Sequence, residues 1–116
     1  MRNKREHCYT VYILGSITGT LYVGVTSNLA HRIWQHKQHT FAGFTATYEV
    51  DRLLYWEHYQ VVGEAIAREK QLKGWKREKK IALITNENPQ WRDLSREWFL
   101  DLEQRRPLVR KEIAQQ

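Results

Sequence analysis

The sequence predicts an α+β domain in which a small antiparallel sheet of three strands is flanked by helices. Two runs of β-branched and aromatic residues surround a short loop with two glycines, and a third such run lies at residues 52–59. Helical periodicity dominates the later segments. At 116 residues the chain suffices for one domain with a modest core. We expect this domain at residues 9–104, between a basic tail at 1–8 and a polar tail at 105–116.

The first two strands are predicted to form a hairpin from residues 9–14 and 20–24, joined by a five-residue loop. If the ladder closes at Leu14, opposed positions sum to 34, and Tyr12 faces Tyr22. Directly opposed side chains share one face of the sheet, with Cβ atoms about 4.5–5.5 Å apart. Two phenols in this position are either half-buried sheet aromatics or part of a site that moves protons.

Four helices are predicted, over residues 28–38, 63–73, 76–86 and 94–104, with an irregular connection at residues 41–50. Asn28 offers N-cap chemistry for the first helix. Gly74 separates the second helix from the third, and Pro89 follows the end of the third.

Two polar residues of the first helix lie beside its apolar stripe. On a helical wheel, His36 falls about 20° from Leu29, and Arg32 falls about 60° from it. Both side chains therefore border the buried side of the helix, where an ordinary surface cation or edge histidine is the alternative to a functional role.

Glu69 is the carboxylate whose position is most informative. With Ala65 at 0° on the wheel, Glu69 falls at about 40° and Leu72 at about 340°, so the acid lies within an apolar arc. A carboxylate there must be paired, protonated or bound to a cation. An ion pair with Lys73 at i+4 is one solution, and Mg²⁺ completed by water and phosphate oxygens is another.

Charge composition permits a polyanionic partner. Lys and Arg number 19 against 13 Asp and Glu, which gives a net charge of +6 and a pI near 9.6. Much of this excess lies in residues 64–80, whose net charge is +4, where Trp75 is a candidate for base stacking. An ordinary solvated basic surface is the alternative. The predicted nucleic-acid contacts are Lys37, Lys70, Lys73, Lys76 and Arg77.

Other features argue against secreted or membrane classes. Cys8 is the only cysteine, so an intramolecular disulfide is excluded. The first residues lack the apolar segment of a signal peptide, and no apolar run approaches about 18 residues. We expect a cytoplasmic protein with no membrane partner and no small-molecule cofactor.

Taken in order, these residues resemble the GIY-YIG nuclease domain, and most closely its small standalone bacterial members. The resemblance rests on Val11-Tyr12-Ile13, Tyr22-Val23-Gly24, Arg32 and Glu69, and on a segment at residues 88–94 that is similar to one typical of that subgroup. It spans about residues 9–98. Val11 replaces the first Gly of the name-giving motif and Val23 replaces the Ile of its second triplet. Ile81 lies where some restriction enzymes of the family carry an Asn.

The resemblance implies hydrolysis of DNA phosphodiester bonds that depends on Mg²⁺, for which Mn²⁺ can substitute, and that leaves 5′-phosphate and 3′-hydroxyl ends. DNA repair or nucleic-acid processing is the implied setting. Carried over, Glu69 holds the metal and Tyr12 acts as general base or positions the attacking water. Tyr22 orients the water or a phosphate oxygen, Arg32 stabilises charge on the phosphate, and His36 holds or relays a tyrosine proton.

A function of another class remains as the alternative. A nucleic-acid-binding module that uses the same fold without turnover is also consistent with the basic helical run. A structural or protein-interaction domain is disfavoured, because the tyrosines, the arginine and the glutamate that the family uses are all present.

Overall fold

The computed structural model describes residues 8–38 and 48–99, and they form a three-stranded antiparallel sheet with helices on both faces. The fold class predicted from the sequence is therefore confirmed. The elements are β1 (Tyr9–Gly15), β2 (Leu21–Thr26), α1 (Leu29–Lys37), β3 (Arg52–Tyr59), α2 (Val62–Gly74) and α3 (Arg77–Glu87). The strand order is β2-β1-β3, so β1 is central and β2 is an outer strand.

The register of the hairpin differs from the prediction by two residues. Tyr12 is opposite Gly24, and Tyr22 is opposite Leu14, so opposed positions sum to 36. The expectation that Tyr12 directly faces Tyr22 was wrong. A shift of two residues keeps every side chain on its own face of the sheet. The two tyrosines are consequently diagonal neighbours on one face.

The cause of this shift lies in the loop. Gly15 belongs to β1 and pairs with Leu21, so the five loop residues are 16–20, one position later than predicted. Ser16 N donates to Thr20 O at 2.9 Å, and Gly19 N donates to Ser16 O at 3.1 Å. Gly19 has a φ of 99°, a conformation that a residue with a Cβ rarely adopts. The turn therefore closes around Gly19, and the ladder begins at Gly15.

Alternating side chains of the central strand build two cores. On the first face, called the α2/α3 face, residues of β1 pack with both later helices; its buried residues are Val11, Ile13, Val23, Leu54, Tyr55, Ala65, Leu72 and Ile84. On the second face, called the α1 face, they pack with the first helix; its buried residues are Tyr12, Leu14, Ile33, Val50 and Leu53. This two-sided burial explains why β1 is an almost unbroken apolar run.

A bulge in β3 adapts the third strand to the two cores. Leu53 pairs with Leu14 and Tyr55 pairs with Ile13, which leaves Leu54 as an extra residue. Leu54 and Tyr55 are consecutive, yet both are buried on the α2/α3 face. The extra residue re-aims the side chains that follow it.

The first three helices lie within one residue of their predicted bounds. Asn28 caps α1, because its Oδ1 accepts from His31 N at 3.1 Å. The predicted helix at residues 94–104 was wrong over residues 94–99, which form turns. The predicted tails lie outside the described residues apart from Cys8, as do residues 100–104 and most of the 41–50 connection. Within the described ranges no helix is long and apolar enough to cross a membrane.

The segment at residues 88–95 leads into these turns and binds the edge of β3 that faces away from β1. Leu94 N donates to Leu53 O at 2.7 Å, and Asn88 Nδ2 donates to Leu54 O at 3.1 Å. Leu53 N donates to Asp93 Oδ1 at 3.1 Å. These contacts satisfy backbone groups of the outer strand, and they hold residues 94–99 out of a helical path.

Asp93 links this segment to α1. Lys37 Nζ donates to Asp93 Oδ2 at 2.6 Å, and Ser95 Oγ donates to Asp93 Oδ1 at 2.7 Å. Burial raises the pKa of Asp93, but the hydrogen bonds from Lys37 and Ser95 outweigh it, so the pKa lies below its usual value. Lys37 also donates to Asp51 O at 3.1 Å. The carboxylate thus holds β3, α1 and the terminal turns together.

We expect Asp93→Asn to lower the free energy of unfolding by about 2 kcal/mol, because it removes charge-assisted hydrogen bonds in a half-buried site. The folded pKa is depressed below the unfolded value of about 3.9. The stabilisation is therefore complete above that pH and is lost as the pH falls through the folded pKa. Urea denaturation at several pH values measures this. The exposed Glu97→Gln is the control, and a wild-type advantage that persists undiminished in acid would contradict the prediction.

Candidate active site

The side chain of Tyr12 crosses from the central strand over the outer strand. A Cβ built on Gly24, its cross-strand partner, would lie 2.5 Å from the Tyr12 Oη and 2.6 Å from its Cζ. Real Cβ atoms do not approach other atoms so closely. Glycine at this position therefore lets the phenol lie flat across β2, with its hydroxyl over the outer strand.

His36 and Tyr22 complete an aromatic cluster around this hydroxyl on the α1 face. The Tyr12 Oη and the His36 Nε2 are 3.3 Å apart, within hydrogen-bonding distance. The Tyr22 ring centroid lies 6.4 Å from that of Tyr12 and 5.7 Å from that of His36. Tyr12 is only 1% exposed and His36 is buried, whereas Tyr22 is half-buried. Tyr22 is thus the member of the cluster that is more open to solvent.

The electrostatic environment keeps Tyr12 protonated at neutral pH. Burial raises its pKa most, and Tyr22 and Glu69 raise it further, while Arg32 lowers it. Removal of the phenol proton therefore requires a proton acceptor at the hydroxyl or additional positive charge beside it. His36 Nε2 is positioned as that acceptor when its tautomer leaves this nitrogen without a proton.

Arg32 reaches the site from α1, one turn before His36. Its side chain is half-buried, and its charge acts on Tyr12. The placement beside the buried edge of α1, predicted from the helical wheel, agrees with the structure. A guanidinium here can offer several donors to a phosphate that approaches Tyr12.

Glu69 enters from α2, on the other face of the sheet, and lies at the border of the buried side. The Glu69 side chain is 14% exposed, whereas Ile66 of the same helix is 39% exposed. The Glu69 Oε2 forms an ion pair with Lys73 Nζ at 2.8 Å. The ion pair expected as one alternative is therefore present, and metal binding by Glu69 stays a prediction.

The five predicted catalytic residues are related by ring contacts or by the effect of their charges on Tyr12. Tyr12, Tyr22 and His36 are in ring contact, and Arg32 and Glu69 are close enough to change the pKa of Tyr12. Two cavities, of about 440 and 620 Å³, are lined by other residues. Neither of these two cavities is lined by a predicted catalytic residue.

The predicted nucleic-acid contacts divide into two groups. Lys37 and Lys73 are engaged by carboxylates, in the ion pairs with Asp93 and Glu69. Lys70, Lys76 and Arg77 are exposed. A role for any of the five in nucleic-acid binding stays a prediction, but the charge of the first two is already partly neutralised within the protein.

Trp75, expected to stack on bases, has cations against its ring. The Arg68 Cζ lies 5.1 Å from the ring centroid, and the Lys79 Nζ lies 4.3 Å from it. The indole also packs against the α2/α3 core. Arg68 in turn donates to the Glu57 carboxylate, at 2.8 Å from Nη2. These contacts explain Trp75 as a structural residue that joins α2 to α3.

Sequence reasoning missed the contact role of Gly24. In the sequence, Gly24 is identified only as a residue of the Tyr22-Val23-Gly24 motif. Its position opposite Tyr12 follows only from the correct register of the hairpin. The absence of a side chain beside an aromatic cross-strand partner is the signal that identifies it.

We expect Gly24→Ala to destabilise the protein by about 1–3 kcal/mol, because the new methyl group forces the Tyr12 ring to move. The hydroxyl then loses its position beside His36. Thermal melting measures the change, with Gly63→Ala as the control, since a Cβ there meets nothing within 4 Å. In a Tyr12→Leu background, which removes the ring, the same substitution should cost much less. Equal costs in both backgrounds would contradict the prediction.

Comparison with known proteins supports one family assignment. Residues 8–82 match the family model described as the GIY-YIG catalytic domain. The UPF0213 proteins of Staphylococcus aureus strain Mu3 and strain N315 (SA0446) are each 34% identical over 74 residues, which cover 64% of this chain and 90% of each relative.

The solution NMR structure of the UPF0213 protein BH0048 from Bacillus halodurans is similar to this chain with a TM-score of 0.50 and 26% sequence identity. The similarity covers 78% of this chain and 95% of that protein. The family match spans more than half of the chain and includes the whole stretch from Tyr12 to Glu69. This chain therefore belongs to the GIY-YIG family of nucleases.

Proposed function

We propose that this protein is a metal-dependent endonuclease that hydrolyses phosphodiester bonds of DNA and leaves 5′-phosphate and 3′-hydroxyl ends. DNA repair or nucleic-acid processing is the proposed setting. One observation carries the proposal: the buried Tyr12 hydroxyl lies 3.3 Å from His36 Nε2 and within electrostatic reach of both Arg32 and Glu69. A base relay, a cation for the phosphate and a carboxylate for a metal would then all act around one hydroxyl.

Glu69 is the proposed metal ligand, with Mg²⁺ as the metal and Mn²⁺ as a substitute. Within residues 8–38 and 48–99 no group of three His, Cys, Asp or Glu is placed to hold a metal ion. A single, partly exposed carboxylate fits Mg²⁺, which retains several waters and takes further oxygens from a substrate phosphate. When bound, Mg²⁺ supplies polarisation of the scissile phosphate and charge stabilisation at the leaving oxygen.

Tyr12 and His36 are proposed to move the proton of the attacking water. Because burial raises the pKa of Tyr12, the phenol is protonated before reaction and cannot act as a base alone. In the proposed step the water oxygen bonds to phosphorus, its proton passes to the Tyr12 oxygen, and the original phenol proton passes to His36 Nε2. The bond from phosphorus to the 3′ oxygen breaks, and that oxygen takes a proton from solvent.

Arg32 and Tyr22 are proposed to act on the phosphate and the water. The planar guanidinium of Arg32 can donate two hydrogen bonds to one phosphate, and it stabilises charge that develops there. The half-buried Tyr22 hydroxyl orients the water or a phosphate oxygen. Arg32 also lowers the pKa of Tyr12, which assists proton transfer.

We expect Glu69→Ala to reduce nicking of supercoiled plasmid in Mg²⁺ by at least about 100-fold, because the metal loses its protein ligand. DNA affinity measured in EDTA should change little. Glu64→Ala is the matched control, since Glu64 is an exposed acid of the same helix. Nicking that continues at the wild-type rate in Glu69→Ala, or in EDTA, would refute the proposal.

We expect Tyr12→Phe to keep the fold, since the ring still packs across Gly24, and to lower the cleavage rate by about 100- to 10,000-fold through loss of proton transfer. Single-turnover cleavage of a labelled duplex measures the rate. Tyr55→Phe is the control, because Tyr55 is a buried tyrosine on the opposite face that donates to Glu57. A Tyr12→Phe enzyme with the rate of the control would remove Tyr12 from the mechanism.

The alternative of a binding module without turnover is favoured by one contact. Lys73 already neutralises Glu69, so the carboxylate must exchange this partner before it holds a metal. Salt-sensitive DNA binding by the wild type, without nicking in Mg²⁺ or Mn²⁺, would establish this alternative.

A further inference from the structure

A cavity of about 440 Å³ lies between the hairpin loop and the start of α3. It is lined by Thr18, Gly19, Thr20, Leu21, Arg77 and Lys80. At about 30 Å³ per water molecule, this volume equals that of about 15 waters, which is ample for one phosphate group and its ester oxygens. The lining, as far as the structure describes it, contains two cations and no carboxylate.

Arg77 and Lys80 differ from three other cations of residues 64–80, each of which has a partner within the protein. Lys73 is paired with Glu69, Arg68 is bound to Glu57, and Lys79 lies over Trp75. Among the described residues, the side chains of Arg77 and Lys80 form no ion pair or hydrogen bond. Two uncompensated positive charges therefore converge on one concave surface, which attracts an anion.

The loop is shaped to admit the guanidinium. A Cβ on Gly19 would lie 3.0 Å from the Arg77 Nη2, and Gly19 has the positive φ noted above. Ser16 stabilises the loop, because its Oγ accepts a hydrogen bond from Thr20 N at 3.0 Å. Arg77 is also the first residue of α3, and the N-cap residue Lys76 provides no capping side-chain bond. The positive end of the helix dipole adds to the two charges.

The cavity lies at the loop end of β2, next to the proposed catalytic tyrosines but around the edge of the strand. Leu21 lines it and packs on the α2/α3 face, whereas Tyr22, the next residue of β2, packs on the α1 face. At about 3.3 Å per residue, Thr20 and Leu21 lie within about 7 Å of Tyr22 along the strand. Successive phosphates of a DNA strand advance by about 3.4 Å along the helix axis. A DNA strand that passes the tyrosines and bends around the edge of β2 would therefore place another phosphate here, a few nucleotides from the scissile one.

We propose that this cavity, with Arg77 and Lys80 as its cations, binds one non-scissile backbone phosphate of the DNA substrate. The inference rests on the proposed function and adds the direction of the substrate strand, from the tyrosines around the edge of β2 toward the hairpin loop. Arg77 provides a fork of donors, and Lys80 provides a point charge. The contact positions the strand and carries no base specificity.

The test measures binding of the full chain to a short fluorescein-labelled DNA duplex by anisotropy, in EDTA, over a salt series from about 50 to about 200 mM. Because no metal is present, cleavage does not enter the readout. For Arg77→Ala/Lys80→Ala we expect weaker binding and a slope of log K against log salt that is smaller in magnitude by about 0.9, the value for one duplex phosphate. A second variant, Thr20→Glu, keeps both cations but places a negative charge in the cavity, and it should weaken binding as well.

The matched control is Arg92→Ala/Arg96→Ala, which removes the same charge from two exposed residues that do not line the cavity. Its slope should change by less than half as much. An unchanged slope in Arg77→Ala/Lys80→Ala, an equal change in the control, or no measurable DNA binding by the wild type would overturn the inference. The proposed function is tested separately: an absence of nicking by the wild type in Mg²⁺ would refute it.

Discussion

The packing of the Tyr12 ring across Gly24 is the contact on which the candidate site depends. Tyr12 belongs to the central strand, so its hydroxyl reaches the outer side of the sheet only because β2 has no side chain at the crossing point. In that position the hydroxyl lies 3.3 Å from Nε2 of His36 on α1, and the charge of Glu69 on α2 raises its pKa. The absence of a side chain at Gly24 thus fixes the position of a hydroxyl that contacts His36 and is affected by charges from both faces of the sheet.

Burial gives the hydroxyl a fixed position, but it also makes the phenol a weaker acid, so little of the phenolate that could accept a proton is present at neutral pH. The same desolvation that orders Tyr12 raises its pKa, and the nearby carboxylate adds to this effect. A site of this kind is balanced by positive charge: Arg32 is already present, Lys73 neutralises Glu69, and a substrate-bound metal would add more.

The other positively charged residues differ in whether they form ion pairs within the protein. Lys37 and Arg68 stabilise the fold, through Asp93 and Glu57, and both carboxylates have a lowered pKa because these bonds outweigh their burial. Arg77 and Lys80 have no such partners in the described structure and face one cavity. A net charge of +6 is therefore not a uniform property of the surface. The positive charges available to a polyanion are those that form no ion pair within the protein.

The sequence by itself determined the three strands and the first three helices, because these follow from local periodicity and caps, and its ordered family motifs identified the candidate site residues. β3 has its predicted bounds, and Asn28 caps α1 as expected. Tertiary structure decided the rest. The hairpin register depended on a turn around Gly19, and residues 94–99 left their helical pattern because Asp93 and Leu94 bind β3. The ion-pair partners of Lys37 and Arg68, and the clash that requires Gly24, arise between residues far apart in the chain or in different strands, and local propensity carries no record of such contacts.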